Sequence, residues 1–178
     1  RAWCKGAEGG ASVIELNVYS VLYSLLSRHR VVLLKEARGE HYLPIWIGMS
    51  ESEAIAIRLQ GTVVPRPLTH DLLANVIAEM GGVVQYVVVS DLIDNTFYAK
   101  IAIEHDGDLR LVDSRTSDAI ALAIRTSVPI YAEESVVERA GIVNSPEIRT
   151  NVVTEADEEG LDIFRDFIDN LDLDDLGD

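Results

Sequence analysis

Cysteine is nearly absent from the 178 residues: Cys4 is alone. Neither an internal disulfide framework nor a cysteine-based zinc site can form within one chain, which suits a reducing, cytoplasmic compartment. Long apolar runs are also lacking. Stretches such as 86–89 and 119–124 have the length of core elements, far below the ~20 residues that span a bilayer. The first twelve residues are Gly/Ala-rich and unpatterned, without the basic and apolar regions of a secretory signal, and are expected to form a disordered leader. Aromatic residues make up only 6% of the chain, so Trp46 is expected in the core or an interface rather than as a base-stacking platform. Basic residues are few, 15 against 30 acidic, for a net charge of −15. Residues 155–178 hold eleven acids against Arg165, a net −10, which leaves −5 on residues 1–154. A body of that charge has no global attraction for phosphate backbones, so contact with nucleic acid requires a local basic patch or bound metal ions.

Several motifs are missing as well. There is no Gly-x-x-x-x-Gly-Lys phosphate loop, no Gly-x-Gly-x-x-Gly turn and no His-Glu-x-x-His. A Gly-x-Ser-x-Gly elbow is absent. His29, His41 and His105 fall in or beside expected turns without regular spacing, so a histidine-based metal site is not indicated.

What is present is a 48% hydrophobic content with a readable order of elements. Residues 13–20 alternate with period two, the pattern of a half-buried strand. Residues 31–35 and 42–47 form two further strands around a polar turn at Arg38-Gly39-Glu40. Ser50 and Glu53 have capping-box spacing and open a helix that Gly61 ends. Pro65 and Pro67 force an extended passage. Thr69 caps the next helix with Asp71 in its first turn, and Gly81-Gly82 stops it. Strands 83–92, 96–104 and 109–113, joined by Asp94-Asn95 and Asp106-Gly107-Asp108, form an antiparallel meander. A nearly all-apolar helix capped by Thr116 or Ser114, a short strand 129–131 and a short helix 135–140 follow. Residues 144–151 read as a linker, and Leu161, Phe164, Phe167, Ile168 and Leu171 as one face of an acidic amphipathic helix. Hairpins alternate with single helices without a strict βαβ rhythm. The fold class is therefore α+β, a mixed and largely antiparallel sheet with packed helices in a single domain over 13–142.

Two polar clusters carry the functional signal, each opening a helix. Arg66-Pro67-Leu68-Thr69-His70-Asp71 and Asp113-Ser114-Arg115-Thr116-Ser117-Asp118 combine guanidinium groups, hydroxyls and carboxylates, with an imidazole in the first. Plain helix capping accounts for part of each, although so many polar groups exceed what one cap needs. These residue types suit metal-assisted attack on a phosphodiester, with arginine on the phosphate and carboxylates on Mg²⁺ or Mn²⁺.

Leu43-Pro44-Ile45-Trp46-Ile47-Gly48, Glu53-Ala54-Ile55-Ala56, Arg66-Pro67 with Thr69-His70-Asp71-Leu72-Leu73, then Asp113-Ser114-Arg115 with Ser117-Asp118-Ala119 and Pro129-Ile130-Tyr131, resemble the bifunctional nuclease family in order and spacing. The match runs over roughly 13–142 and departs at Thr116, where proline is expected. The resemblance implies a compact α+β domain that tends to dimerise and acts on DNA and RNA. Roles are assigned from chemistry: Asp71, Asp113, Asp118 and Glu53 as metal ligands, His70 as general acid or base, Arg66 and Arg115 on the phosphate, with Thr69 and Ser117 assisting binding. The alternatives are a non-catalytic interaction or regulatory domain and a binder of small anions at helix N-termini.

The acidic end has its own expectation, that it covers a basic surface and mimics nucleic acid. Removing residues 155–178 should then raise DNA affinity at low salt, measured by fluorescence anisotropy across a salt titration. Affinity unchanged at every salt concentration would leave the end as a solvated amphipathic helix that packs on the body or on a partner subunit.

Overall fold

The computed structural model describes residues 12–23 and 29–143. Most of the expected leader, the 144–151 linker and the acidic helix lie outside the described residues. The chain divides into two units, Arg1–Ile142 and Val143–Asp178, and the architecture below belongs to the first.

Three strands open it: β1 (Val13–Tyr23), β2 (Arg30–Glu36) and β3 (His41–Ile47). Helices α1 (Met49–Leu59) and α2 (Thr69–Glu79) follow. The meander comprises β4 (Val83–Ile93), β5 (Thr96–His105) and β6 (Asp108–Arg115). It is succeeded by α3 (Thr116–Thr126), β7 (Ile130–Glu133), α4 (Glu134–Ala140) and the two-residue β8 (Ile142–Val143). The α+β reading holds. The sheet order is β6-β5-β4-β7-β1-β2-β3-β8, antiparallel at β5–β6, β4–β5, β1–β7, β1–β2 and β2–β3, and parallel between β4 and β7. Among the described residues no helix is long and apolar enough to cross a membrane.

The turns are built as the local chemistry requires. Asp94 and Asn95 both have positive φ, as do Asp106 and Gly107, the backbone of type I′ hairpins whose twist matches the flanking strands. Helix α1 ends with Gly61 at φ 66°, where its N–H bonds to the Arg58 carbonyl and that of Thr62 to Ile57. This is the Schellman arrangement, which satisfies the last carbonyls and favours a residue without Cβ. Gly81 repeats it at the end of α2, with Gly82 bonding back to Ile77.

The N-terminal caps differ from the sequence reading. Gly48, Leu68 and Arg115 occupy the cap positions of α1, α2 and α3, and none supplies a side-chain acceptor. Thr69 and Thr116 lie one step inside their helices and Ser50 two. Ser52 instead bonds to the Met49 carbonyl, Ser114 to the Arg115 carbonyl and Thr116 to the Phe97 carbonyl of β5. Glu53 takes no part in a capping box. Spacing from Ser50, Thr69 and Thr116 places these caps one or two residues late, because the residues at the true cap positions hold them by backbone geometry without a side-chain acceptor.

One core cluster unites all of this. Val32 and Leu34 of β2 face Ile45 and Leu43 of β3, and Val87 and Val89 of β4 face Ile101 and Ala99 of β5. Opposed residues share a sheet face, and these pairs meet Ala119–Ala123 of α3 together with Ile55, Val136 and Val137. Helix α3 packs on β4, β5 and β6 and also reaches β3, near the other end of the order. The sheet therefore curls around α3, aided by irregularities in β1 and β4. Helices α1 and α2 pack on α3. Trp46, expected in the core or an interface, is exposed in this chain.

Alanines at 119, 121 and 123 allow this close enclosure, since all three are almost fully buried. Replacing Ala121 by leucine should overpack the core and cost about 1–3 kcal/mol. A denaturant melt of Ala121→Leu would measure the loss.

Candidate functional site

Four of the predicted residues, His70, Asp71, Arg115 and Asp118, converge where α1, α2 and α3 pack together, in two cross-helix rungs. The lower rung centres on Arg125, in the last turn of α3. Its side chain is only 4% exposed. Nε donates to Asp71 Oδ1 at 2.7 Å, Nη1 to the Ala121 carbonyl at 2.8 Å and Nη2 to the Ala54 carbonyl at 3.0 Å. Asp71 Oδ2 accepts from the Leu68 N–H at 2.9 Å. That is one half of a capping box; leucine has no acceptor for the other half. A single guanidinium thus ties α1, α2 and α3.

The upper rung centres on Asp118, in the first turn of α3. Arg115 donates Nε to Asp118 Oδ2 at 2.7 Å and Nη2 to Oδ1 at 3.1 Å. The same Nη2 donates to Glu51 Oε1 of α1 at 2.6 Å. His70 Nε2 stands 2.8 Å from Asp118 Oδ1. An ionised carboxylate only accepts, so Nε2 carries the hydrogen. His70 Nδ1 is buried without a partner. Neither ring nitrogen faces solvent, so His70 can serve as an acid or base for a bound substrate only by leaving Asp118.

The electrostatics follow the bonds. Burial alone would raise the pKa of Asp118, but the hydrogen bonds from Arg115 and His70 and their charges outweigh it and hold the carboxyl below the usual range. Asp71 behaves likewise, with burial opposed by the Leu68 N–H and by Arg125. Arg115 is held above its ordinary value by bonds to Asp118 and Glu51.

The remaining predicted residues are placed elsewhere. Asp113 is exposed on β6, opposite Lys100 of β5. Glu53 is exposed on α1, and Glu51 takes the inward position instead. Arg66 and Thr69 are exposed, Arg66 in the extended passage before α2 and Thr69 at that helix's start, while Ser117 is buried. The proposed metal set of Asp71, Asp113, Asp118 and Glu53 is thus not assembled. Among the described residues no three His, Cys, Asp or Glu side chains form a group able to hold a metal ion. Asp71 and Asp118 have both oxygens bonded to protein donors, so their donor set does not fit Mg²⁺ or Mn²⁺ in this arrangement. Sequence reasoning missed Arg125 and passed over Glu51. The signal for Arg125 was an arginine at the end of an otherwise apolar helix, a cation that must find partners when buried.

Comparison with known proteins bears on this geometry. The model of the bifunctional nuclease domain matches residues 32–145. The uncharacterized protein Rv1829 of Mycobacterium tuberculosis is 40% identical over 162 residues, covering 91% of this chain and 97% of that protein. Bifunctional nuclease 1 of Oryza sativa subsp. indica is 25% identical over 117 residues, 64% of this chain and 35% of its own length. Bifunctional nuclease 2 of Oryza sativa subsp. japonica is 29% identical over 115 residues, 63% of this chain and 35% of its own. The chain belongs to the bifunctional nuclease family. It spans about a third of each rice protein.

Asp71 gives the clearest test of the lower rung. A carboxyl whose pKa is lowered by folding contributes stability above its unfolded value, near 3.9, and loses it as pH falls through the folded value. Asp71→Asn should destabilise the domain at neutral pH by leaving Arg125 buried and unpaired, and should flatten the acid limb of stability below about pH 4. Thermal melts of both proteins from neutral pH downward would show this. Parallel curves would remove Asp71 as the partner that matters.

Proposed function

We propose that this chain hydrolyses phosphodiester bonds in DNA and RNA, as a homodimer, with Arg115 at the phosphate. The observation carrying this reading is the state of Arg115. Its side chain is 68% exposed, yet Glu51 and Asp118 fix it from two sides. Nε and Nη2 are occupied, and Nη1 makes no bond among the described residues. A cation oriented in advance of substrate costs no reorganisation when negative charge develops on a phosphate, and guanidinium geometry matches phosphate oxygens. Asp118 acts as the fixed support of Arg115, and His70 positions Asp118 from the buried side.

Two carboxylates against one guanidinium leave surplus negative charge at this rim. That surplus favours divalent counter-ions over a bare phosphate backbone, in keeping with the low basic content of the chain.

A second reading has specific support. Both rungs join helices and leave no imidazole nitrogen toward solvent, as expected of an interaction or regulatory domain whose polar clusters hold its fold.

Cleavage of single-stranded DNA and RNA by the purified chain, with Mg²⁺, with Mn²⁺ and with EDTA, separates the two. The nuclease reading expects cleavage that Arg115→Ala lowers roughly 100-fold, the scale of losing one preorganised donor, with circular dichroism unchanged, while the EDTA arm reads whether that cleavage needs a metal. Equal trace activity in both proteins would identify a contaminant and leave the interaction reading.

A further inference from the structure

Helix α2 has an apolar stripe on the wrong side. Its inner side meets α3 and the core through His70, Ala74 and Ile77. The outward side would ordinarily be charged. Here it presents Leu72, Val76 and Met80, spaced four apart, with Leu73 beside them. All are exposed, Met80 to 71%. The extended passage before the helix adds Val63, 92% exposed. Exposed apolar side chains repeated along one helix mark a contact site rather than a solvated face.

The charges at its ends indicate the occupant. Arg66 lies just before α2 and Glu79 closes it, seven residues after Leu72 and hence in the same stripe. Both are exposed, and neither has an ion-pair partner among the described residues. Glu79 stands at the carbonyl end of a helix whose last turn holds no basic residue, where the helix dipole disfavours an anion. A cation at one end and an anion at the other make a pattern that is complementary to itself when reversed.

We infer that α2 packs antiparallel against α2 of a second copy of this chain about a two-fold axis. In that arrangement Leu72 faces the partner's Val76, and Glu79 approaches the partner's Arg66 beside the positive end of the partner's helix. The contact is isologous, so each favourable pair occurs twice and the assembly closes as a dimer. It removes the apolar stripe from water and relieves the unfavourable placement of Glu79. It also engages Arg66 at the interface and leaves Arg115 as the phosphate-facing cation. The inference rests on the homodimer proposed above and assigns its surface.

Sedimentation equilibrium of the full chain tests both levels. The wild type should sediment at twice its 19.6 kDa mass; a monomer at all concentrations overturns the dimer itself. Val76→Asp should yield a folded monomer, because the altered side chain is exposed in the single copy. Arg66→Glu and Glu79→Arg should each weaken dimerisation roughly tenfold or more, and the double reversal should restore it. A dimer indifferent to Val76→Asp, or a double reversal no stronger than either single change, places the interface elsewhere and overturns the assignment. The charge reversals, both on exposed side chains, decide the matter alone if Val76→Asp disturbs folding.

Discussion

A buried guanidinium organises the helical half of this domain. Arg125 would be costly to desolvate if any donor were left unpaired, and the chain answers with a carboxylate and two helix carbonyls drawn from α1, α2 and α3. Because each partner sits on a different helix, the three can approach one another only in the registration that completes the set. Hydrophobic packing alone would tolerate sliding between helices. The directional bonds of Arg125 do not. Everything on the upper rung inherits that registration, since Glu51 lies three residues from Ala54, His70 is adjacent to Asp71, and Asp118 lies about two turns before Arg125 on α3. The position of the exposed Arg115 is thus fixed by an interaction hidden beneath it.

The strands were legible in the sequence because period-two patterns and turn residues are local. Asp94-Asn95 and Asp106-Gly107 mark hairpins through their own backbone preferences, and residues 83–113 needed little else. The helix stops at Gly61 and Gly81 were legible for the same reason. Cap residues were not: the cap positions fell to Gly48, Leu68 and Arg115, which have no side-chain acceptor there, and the hydroxyls of Ser114 and Thr116 took carbonyl partners, that of Thr116 on a distant strand. Sequence spacing sees only the helix that follows.

The site divides in the same way. His70, Asp71, Arg115 and Asp118 stood out because polar groups crowded two helix starts, and the structure joins His70, Arg115 and Asp118. Asp113 and Glu53 share the residue types but not the geometry: one points along an exposed strand, the other sits two positions from the helix face that turns inward. The choice between Glu51 and Glu53 is a matter of helical phase. It depends on where α3 lies, and no local pattern encodes that. Arg125 was hidden for the opposite reason, standing alone among apolar neighbours while its partners were distant in the chain.

The parallel pairing of β4 with β7 carries a consequence for how the molecule assembles. Strand β7 has four residues, yet among the described residues it alone joins the β4–β5–β6 meander to the β1–β2–β3 group, pairing with Val87–Val89 on one side and Val13–Leu16 on the other. Each group can form from near neighbours in sequence. Their union requires contacts between positions more than a hundred residues apart, and such non-local closure is the slow kind. With β7 out of place, β1 and β4 would each present an unpaired edge. The shortest strand in the middle of the sheet is therefore the kinetic seam of the fold.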